Sequence, residues 1–529
     1  MENSKPNFLT RNRGLIIFLI VVPVSFTYQK LQDLSNWFYR VFKATNKLHD
    51  KKVNEIQSQV AQAYSEGRLM CTARAPWKTM SIRKATYKDG LAKIPIDLRN
   101  ILSLDKESMT LRVEPMVTMA DITRHLVPKG YALAVQVEMD DLTVGGLCMG
   151  IGIETTSHQY GFLFETIKSY EIITAAGKLV KASKTENPDL YHALPMSHGT
   201  LGFLVAVEFE IVSIKKFMKV EYLPFHSMDS FGEELKFLTG SEKPADFVEG
   251  LIFSDSEGVI MVGEMVDERK EEKLNSINRW YKPWFYSHIE TFLRKGKATE
   301  YIPIRHYFHR HTPSMFFQLK DLIPFGNKAW YRWLFAWMGA PKVSLMKYTM
   351  TKELRKRSMT SRVAQDLIVP MEHFEESIKL VDEDFGIYPL WVCPVRINDK
   401  HPYNGLIKYP ESGTSNKGHQ MMVDIGIYGI PEKVSKGTWN GVETARKLEY
   451  FTRSLGGFQM LYADIFMTRK EFEEMFSHEL YREVRSKFNA DKAFPEIYNK
   501  VIPEKWLIDV EMQEEKGEQE KHAEALEVL

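Results

Sequence analysis

Cysteine is scarce: Cys71, Cys148 and Cys393 are the only three in 529 residues. An odd number, widely spaced and without a CxxC pair, excludes a disulfide framework and a thiolate zinc site; it reads as buried thiols in a reducing compartment. No Asn-x-Ser/Thr sequon occurs, so nothing requires the bulk of the chain to face a secretory lumen. An excess of one charge sign is missing too. Lys+Arg number 70 against 69 Asp+Glu, a net charge of +1, which excludes a surface built to neutralise a nucleic-acid backbone. Two nucleotide signatures are also absent. There is no G-x-G-x-x-G and no Gly-Lys-Ser/Thr, hence neither a Rossmann fingerprint nor a P-loop.

A long apolar run is lacking as well. Gly14 to Tyr28, GLIIFLIVVPVSFTY, falls short of the ~18 residues of a clean membrane span and matches a signal-peptide core in length. No small-x-small cleavage site follows it. Leu31, Leu34, Phe38, Val41 and Phe42 then recur at helical spacing with Trp37, Tyr39 and Arg40 between them, the pattern of an interfacial helix. Residues 1–48 therefore read as an uncleaved anchor with an interfacial helix behind it; a buried N-terminal helix of a soluble protein is the alternative. Lys5, Arg11 and Arg13 precede the run, whereas Lys30, Arg40, Lys43 and Lys47 follow it, a small excess that favours a single pass with a cytosolic catalytic part.

What is present is a cluster of glycines. Asp140 to Gly161, DDLTVGGLCMGIGIETTSHQYG, places Gly145, Gly146, Gly150, Gly152 and Gly161 within one strand-like stretch. Glycine weakens a strand, so the cluster implies that something approaches the backbone closely. The turn at Thr143 to Gly146 would present bare N–H groups suited to a pyrophosphate, with hydroxyls at Thr143, Thr155, Thr156 and Ser157 as further donors. Around it, Met119 to Lys129 reads as a helix capped near Thr118, and Ser169 to Ala175 with Lys178 to Ser183 as a hairpin. Asn187-Pro188 opens a short helix, and Phe203 to Ile214 alternates as a strand.

These stretches carry a resemblance. The TVGG turn, GIGIETTSHQYG, AAGKLV, NPDLYHAL and GTLGFLVAVEFEI resemble the FAD-binding domain of the vanillyl-alcohol-oxidase, or PCMH-type, flavoproteins. YKPWFYSHIE, EYIPIRHYFHRHT, LIPFGN and GFQMLYAD resemble the sterol-reducing members of that family. The resemblance implies an α+β, two-subdomain FAD-binding fold over residues 49–215 and a substrate, or cap, domain over 216–510, with a solvated charged tail at 511–529. It implies FAD contacts from Thr143, Gly145, Gly146 and Gly202. It adds the segment Ile151, Gly152, Ile153, Glu154, Thr155, Thr156, Ser157, His158, Gln159, Tyr160, Gly161, Phe162 and Leu163. Many relatives carry a histidine in a glycine-rich loop that can bond covalently to the flavin. The corresponding stretch here, Arg74 to Ser81, has none, so a non-covalent FAD is expected.

The implied reaction is reduction of the 24,25 double bond of a sterol in sterol biosynthesis, with NADPH recharging the flavin. An isolated alkene has no carbonyl to accept electrons, so a proton must reach carbon 24 as a hydride reaches carbon 25. Tyr462, Asp464 and His306 are the candidate catalytic groups, with His309 and His311 beside the last. No metal is expected. Five of the ten tryptophans fall between positions 280 and 337, which suggests an aromatic pocket for a membrane-resident sterol. Lys320-Asp321 reads as ordinary surface. The implied location is the endoplasmic reticulum membrane, with the Golgi membrane as a second site. Two other readings stay open: an oxidase of the same fold acting on an alcohol or lactone, and a non-catalytic membrane-tethered scaffold.

Overall fold

The computed structural model describes residues 12–42, 46–75, 86–240, 244–350, 354, 361–398, 405–409 and 418–502. It is an α+β structure that opens with one long helix, α1, built from Arg13–Ile16, a π turn at Ile17–Val21, and Val22–Phe42. Arg13–Tyr39 is long and apolar enough to cross a membrane. The helix extends well past the apolar run at its C-terminal end, and its buried residues include Ile17, Val21 and Val22. A second helix, α2 (Asn46–Ser65), buries Val53, Ile56 and Val60 at helical spacing. A two-stranded parallel pair follows, β1 (Met70–Thr72) with β2 (Ala92–Ile94).

The first large sheet contains β3 (Ile101–Asp105), β4 (Thr110–Val113), β5 (Tyr131–Leu133), β6 (Ile167–Ile173), β7 (Leu179–Ser183) and β8 (Phe203–Ser213). Its order is β3-β4-β8-β6-β7, with β5 also on β8. The expected helix appears as α3 (Met119–Leu126), closed by a capping box between Thr118 and Asp121. The glycine stretch forms two short helices, α4 (Val144–Cys148) and α5 (Ser157–Tyr160), joined by the segment 149–156.

After Ser213 the chain changes sheets. The second, eight-stranded sheet runs β12-β9-β11-β10-β14-β15-β13-β16. Its strands are β9 (Phe217–Phe225), β10 (Phe247–Ile252), β11 (Gly258–Val266), β12 (Ala298–Pro303), β13 (Val363–Pro370), β14 (Leu390–Asn398), β15 (His419–Gly429) and β16 (Phe458–Gln459). Between β12 and β13 lie short helices, among them α6 (Ile304–Phe308) and α7 (Ala329–Leu334); α8 (Gly441–Ser454) follows β15.

The tryptophan-rich segment is not the pocket lining that the sequence suggests. Trp330, Trp333 and Trp337 are each more than half exposed, and Trp280 is 41% exposed; only Trp284 of the five is buried. Four apolar side chains in reach of solvent leave the pocket walls to other aromatics. Lys320 and Asp321 also depart from expectation. Lys320 donates to the Tyr388 carbonyl and Asp321 accepts from Arg362 at 3.0 Å, so both are partly buried and paired. The charged tail and most of Arg74 to Ser81 lie outside the described residues.

Candidate active site

Most of the clustered glycines are bare because protein, not ligand, packs against them. A Cβ on Gly145 would sit 2.9 Å from Pro115 Cβ, and one on Gly150 would sit 2.6 Å from the Gly146 carbonyl oxygen. At Gly152 the neighbours are Val137 and Leu163, and at Gly161 the Glu165 carboxylate. Gly146 differs: only Thr143 Oγ1, at 3.3 Å, comes near. The turn does not offer bare donors either. The N–H groups of Val144, Gly145 and Gly146 donate to Val117, Pro115 and Thr143 carbonyls at 2.8 to 3.0 Å.

The free donors lie one step further on. Ile151, Gly152 and Ile153 line a cavity of about 550 Å³, and among the described residues their N–H groups meet no protein acceptor. Buried backbone donors are almost always paired, so three in a row on a cavity wall suit an acceptor-rich ligand. A second cavity of about 490 Å³ adjoins the first. Arg74, Thr143, Gly146 and His198 line both. Arg74 reaches Thr143 Oγ1 at 3.3 Å, which brings a cation to the junction, where a pyrophosphate would sit. This geometry fits FAD: an edge of carbonyl and ring-nitrogen acceptors on one cavity, an anion at the join, and a nucleotide beyond.

The remaining wall of the first cavity carries buried acids. Asp366 on β13 lies opposite Gly426 on β15, and a Cβ there would meet both Asp366 Oδ1 and Tyr428 Oη within 2.9 Å. Glycine at 426 therefore lets the Tyr428 hydroxyl reach Asp366 Oδ1, while Tyr462 donates to Oδ2. Tyr462 Oη also lies 3.4 Å from Tyr428 Oη. Burial pushes the Asp366 carboxyl up to about 7 even though the Tyr428 hydrogen bond opposes the shift. Asp424, two residues from Gly426 on the same face, is raised well above the ordinary carboxyl value by burial and then by Asp366. Both of its oxygens are buried without a hydrogen-bond partner among the described residues. Glu449 on α8 is raised to about 8 by burial, against hydrogen bonds from the Phe466 N–H and Gln459. All three acids line the cavity.

Next to the cavity stands a second charged group. Arg310 binds Glu249 with two bonds, at 2.6 and 2.7 Å, and lies 3.2 Å from Glu154 and 3.7 Å from Glu138. Burial would raise Glu249, but Arg310 and His311 together more than offset it and hold this carboxylate below its usual range. Glu138 and Glu154 are raised, chiefly by burial. Trp391 Nε1 donates to Glu249 at 2.9 Å, which ties the cluster to the aromatic wall.

The residues expected from the sequence divide between the cavities and the structure around them. Thr143, Gly146, Ile151, Gly152, Ile153 and Glu154 line the first cavity with Tyr462 and Asp464. Gly145 and Gly202 line the second. The stretch from Thr155 to Leu163 turns away from both. Thr156 bonds the Ala134 carbonyl, Ser157 caps the Glu154 N–H, and His158 and Gln159 bond the Ala245 carbonyl. His306 does not line the cavity; burial, with Arg279 and Arg305, lowers its pKa. His309 is engaged by Thr123 and Glu138 and His311 lies 3.5 Å from Glu249, and neither lines the cavity. Sequence reasoning missed Asp366, Asp424 and Tyr428. Their signal was there: single acids inside the apolar strand runs VAQDLIVP and MMVDIGIYG, costly to bury without a purpose.

Residues 51–183 match the family profile described as an FAD binding domain. The human delta(24)-sterol reductase is 41% identical over 497 residues, covering 93% of this chain and 94% of that protein. Its Arabidopsis thaliana namesake is 38% identical over 523 residues, 93% and 92% of the two chains. The mouse L-gulonolactone oxidase is 24% identical over 190 residues, only 36% of this chain and 41% of its own. Identity at that level over nearly the full length, together with a cavity that suits a flavin, means that the chain belongs to the delta(24)-sterol reductase family and is an FAD-dependent oxidoreductase.

Proposed function

We propose that the protein reduces the 24,25 double bond of sterol intermediates in sterol biosynthesis, with NADPH as reductant. The observation that carries this reading is a buried acid on the wall of the same cavity that a run of backbone donors, without protein acceptors among the described residues, lines. Bound FAD, once reduced, would supply the hydride, and NADPH is the reductant that the family resemblance implies. The protein's own part is the proton. Tyr462, whose hydroxyl rests on Asp366 Oδ2, gives its proton to carbon 24 and takes one back from Asp366, whose carboxyl burial pushes up to about 7. Asp424, which burial raises well above the ordinary carboxyl value, lines the same cavity and restores the proton to Asp366. Positive charge then developing at carbon 25 is faced by the rings of Phe316, Trp391 and Tyr428, packed at 5.2 Å centroid spacing, which stabilise a cation through their π faces. Ile151, Gly152 and Ile153 hold the cofactor edge, Arg74 holds its pyrophosphate, and the flavin stays non-covalent. Residues 49–215 act as the FAD unit and 216–510 as the substrate unit, and the protein resides in the endoplasmic reticulum membrane, with the Golgi membrane as a second location.

The test is an anaerobic spectrum of the purified protein. Bleaching of the flavin band by NADPH, followed by its return on adding a 24,25-unsaturated sterol, is the expected result. Bleaching without return would sink the sterol step. A band insensitive to NADPH that bleaches with an alcohol or lactone would establish the oxidase reading instead.

A further inference from the structure

Helix α1 has the length and composition to cross a membrane, yet it is fastened to the body along its whole length. Near its start, Phe18 packs on Phe325, Tyr331 and Phe335 with ring centroids 5.1 to 5.5 Å apart. Ser25 Oγ then accepts the Lys342 N–H at 3.0 Å, and Phe26 meets Trp337 at 5.2 Å. Near its end, Asp33 lies 3.9 Å from Arg124, Asn36 accepts from Arg99 at 3.3 Å, and Tyr39 accepts from Lys52 at 2.9 Å. A crossing helix would carry these ionic and polar contacts into a hydrocarbon layer about 30 Å thick, where charged groups are costly.

The outward face of the helix is apolar. Leu15, Leu19, Ile20, Val24, Leu31 and Leu34 are each at least half exposed. Beside them, Trp330, Trp333, Leu334 and Trp337 are exposed to the same degree, and tryptophan concentrates at the level of lipid headgroups. Charge completes the pattern. From Asn3 to Gln32 there are four Lys or Arg, and from Leu322 to Lys352 five, with no Asp or Glu in either segment. Acid-free, cation-rimmed apolar surface matches an anionic lipid interface. The same two segments also build one wall of the large cavity, through Arg13, Leu322, Val343, Met346 and Met350.

We propose that α1 lies in the plane of the membrane rather than across it. Together with the segment around α7 it forms a monotopic lipid-binding face, and an apolar substrate passes from the bilayer into the cavity between α1 and residues 343–350. This geometry does not depend on which substrate the enzyme takes. It is tested with full-length K5C and K51C variants in sealed microsomes and a membrane-impermeant maleimide; the native cysteines are buried. Equal labelling of both variants without detergent is expected, because both ends of α1 then lie on one side. Labelling of one variant only after detergent overturns the proposal. A second arm uses L19Q/I20Q/L34Q, whose side chains are each more than half exposed and take part in none of the contacts that fasten α1. Its binding to vesicles of phosphatidylcholine and phosphatidylserine should fall at least about tenfold, with an unchanged melting temperature. Undiminished vesicle binding, or loss of a dimer instead of loss of lipid binding, overturns the lipid assignment.

Discussion

Asp366 shows how one residue couples stability to chemistry. Its carboxyl titrates near 7 in the fold against an ordinary 3.8, so between these values the folded state binds a proton that the unfolded chain does not. The stability contributed by the neutral carboxyl is therefore complete below 3.8 and is lost as pH rises through 7. Activity follows the same sign. Sterol-dependent reoxidation of the flavin should slow as pH rises through about 7, and Asp366→Asn should lower its rate by roughly 10²–10⁴ and flatten the profile. Stopped-flow flavin absorbance across that range is the measurement; an unaltered profile would remove Asp366 from the proton path. Arg310 is a second single-residue case. Arg310→Gln leaves Glu249, Glu154 and Glu138 buried without their cation, an expected loss of about 3–5 kcal/mol, read as a fall in denaturation midpoint.

At the level of the element, α4 divides the glycines by purpose. Gly145→Ala drives a methyl toward Pro115 at 2.9 Å and should cost about 1–3 kcal/mol of stability. Gly146→Ala meets only a hydroxyl at 3.3 Å and faces both cavities. It should fold near normally yet lose about 1–3 kcal/mol of FAD affinity, measured by flavin titration beside a melting curve. Equal effects of the two substitutions on both readouts would contradict this division. The elements themselves were legible: β6, β7, β8 and α3 follow the alternation, turn and cap signals of the sequence within a few residues. The glycine cluster was legible as a site but not in its detail, because a bare Cα serves a crowded backbone and a ligand alike.

At the scale of the molecule, α1 joins three parts: the aromatic segment after β12, the residues around the first sheet, and the wall of the cavity. Removing residues 1–42 uncovers the partners of Ile17, Val21 and Val22, each worth about 1.5–3 kcal/mol of apolar burial. The truncated protein should therefore lose melting temperature and flavin retention together, in detergent and without any membrane. A helix that served only as a tether would leave both unchanged.

By itself the sequence determined what short-range chemistry encodes: strand and helix periodicity, the capping box at Thr118, the apolar N-terminus and the cluster of glycines between Gly145 and Gly161. It could not place Asp366, Tyr428 and Tyr462 on one carboxyl, since they come from two strands and a loop as many as 96 residues apart. Nor could it separate His306 from the cavity or turn Trp330, Trp333 and Trp337 outward. Those outcomes depend on which strands pair and in which register, and register is set by the mutual burial of faces that no single segment contains. The raised acidity constants arise in the same way, because desolvation belongs to the enclosing walls and not to the residue that they enclose.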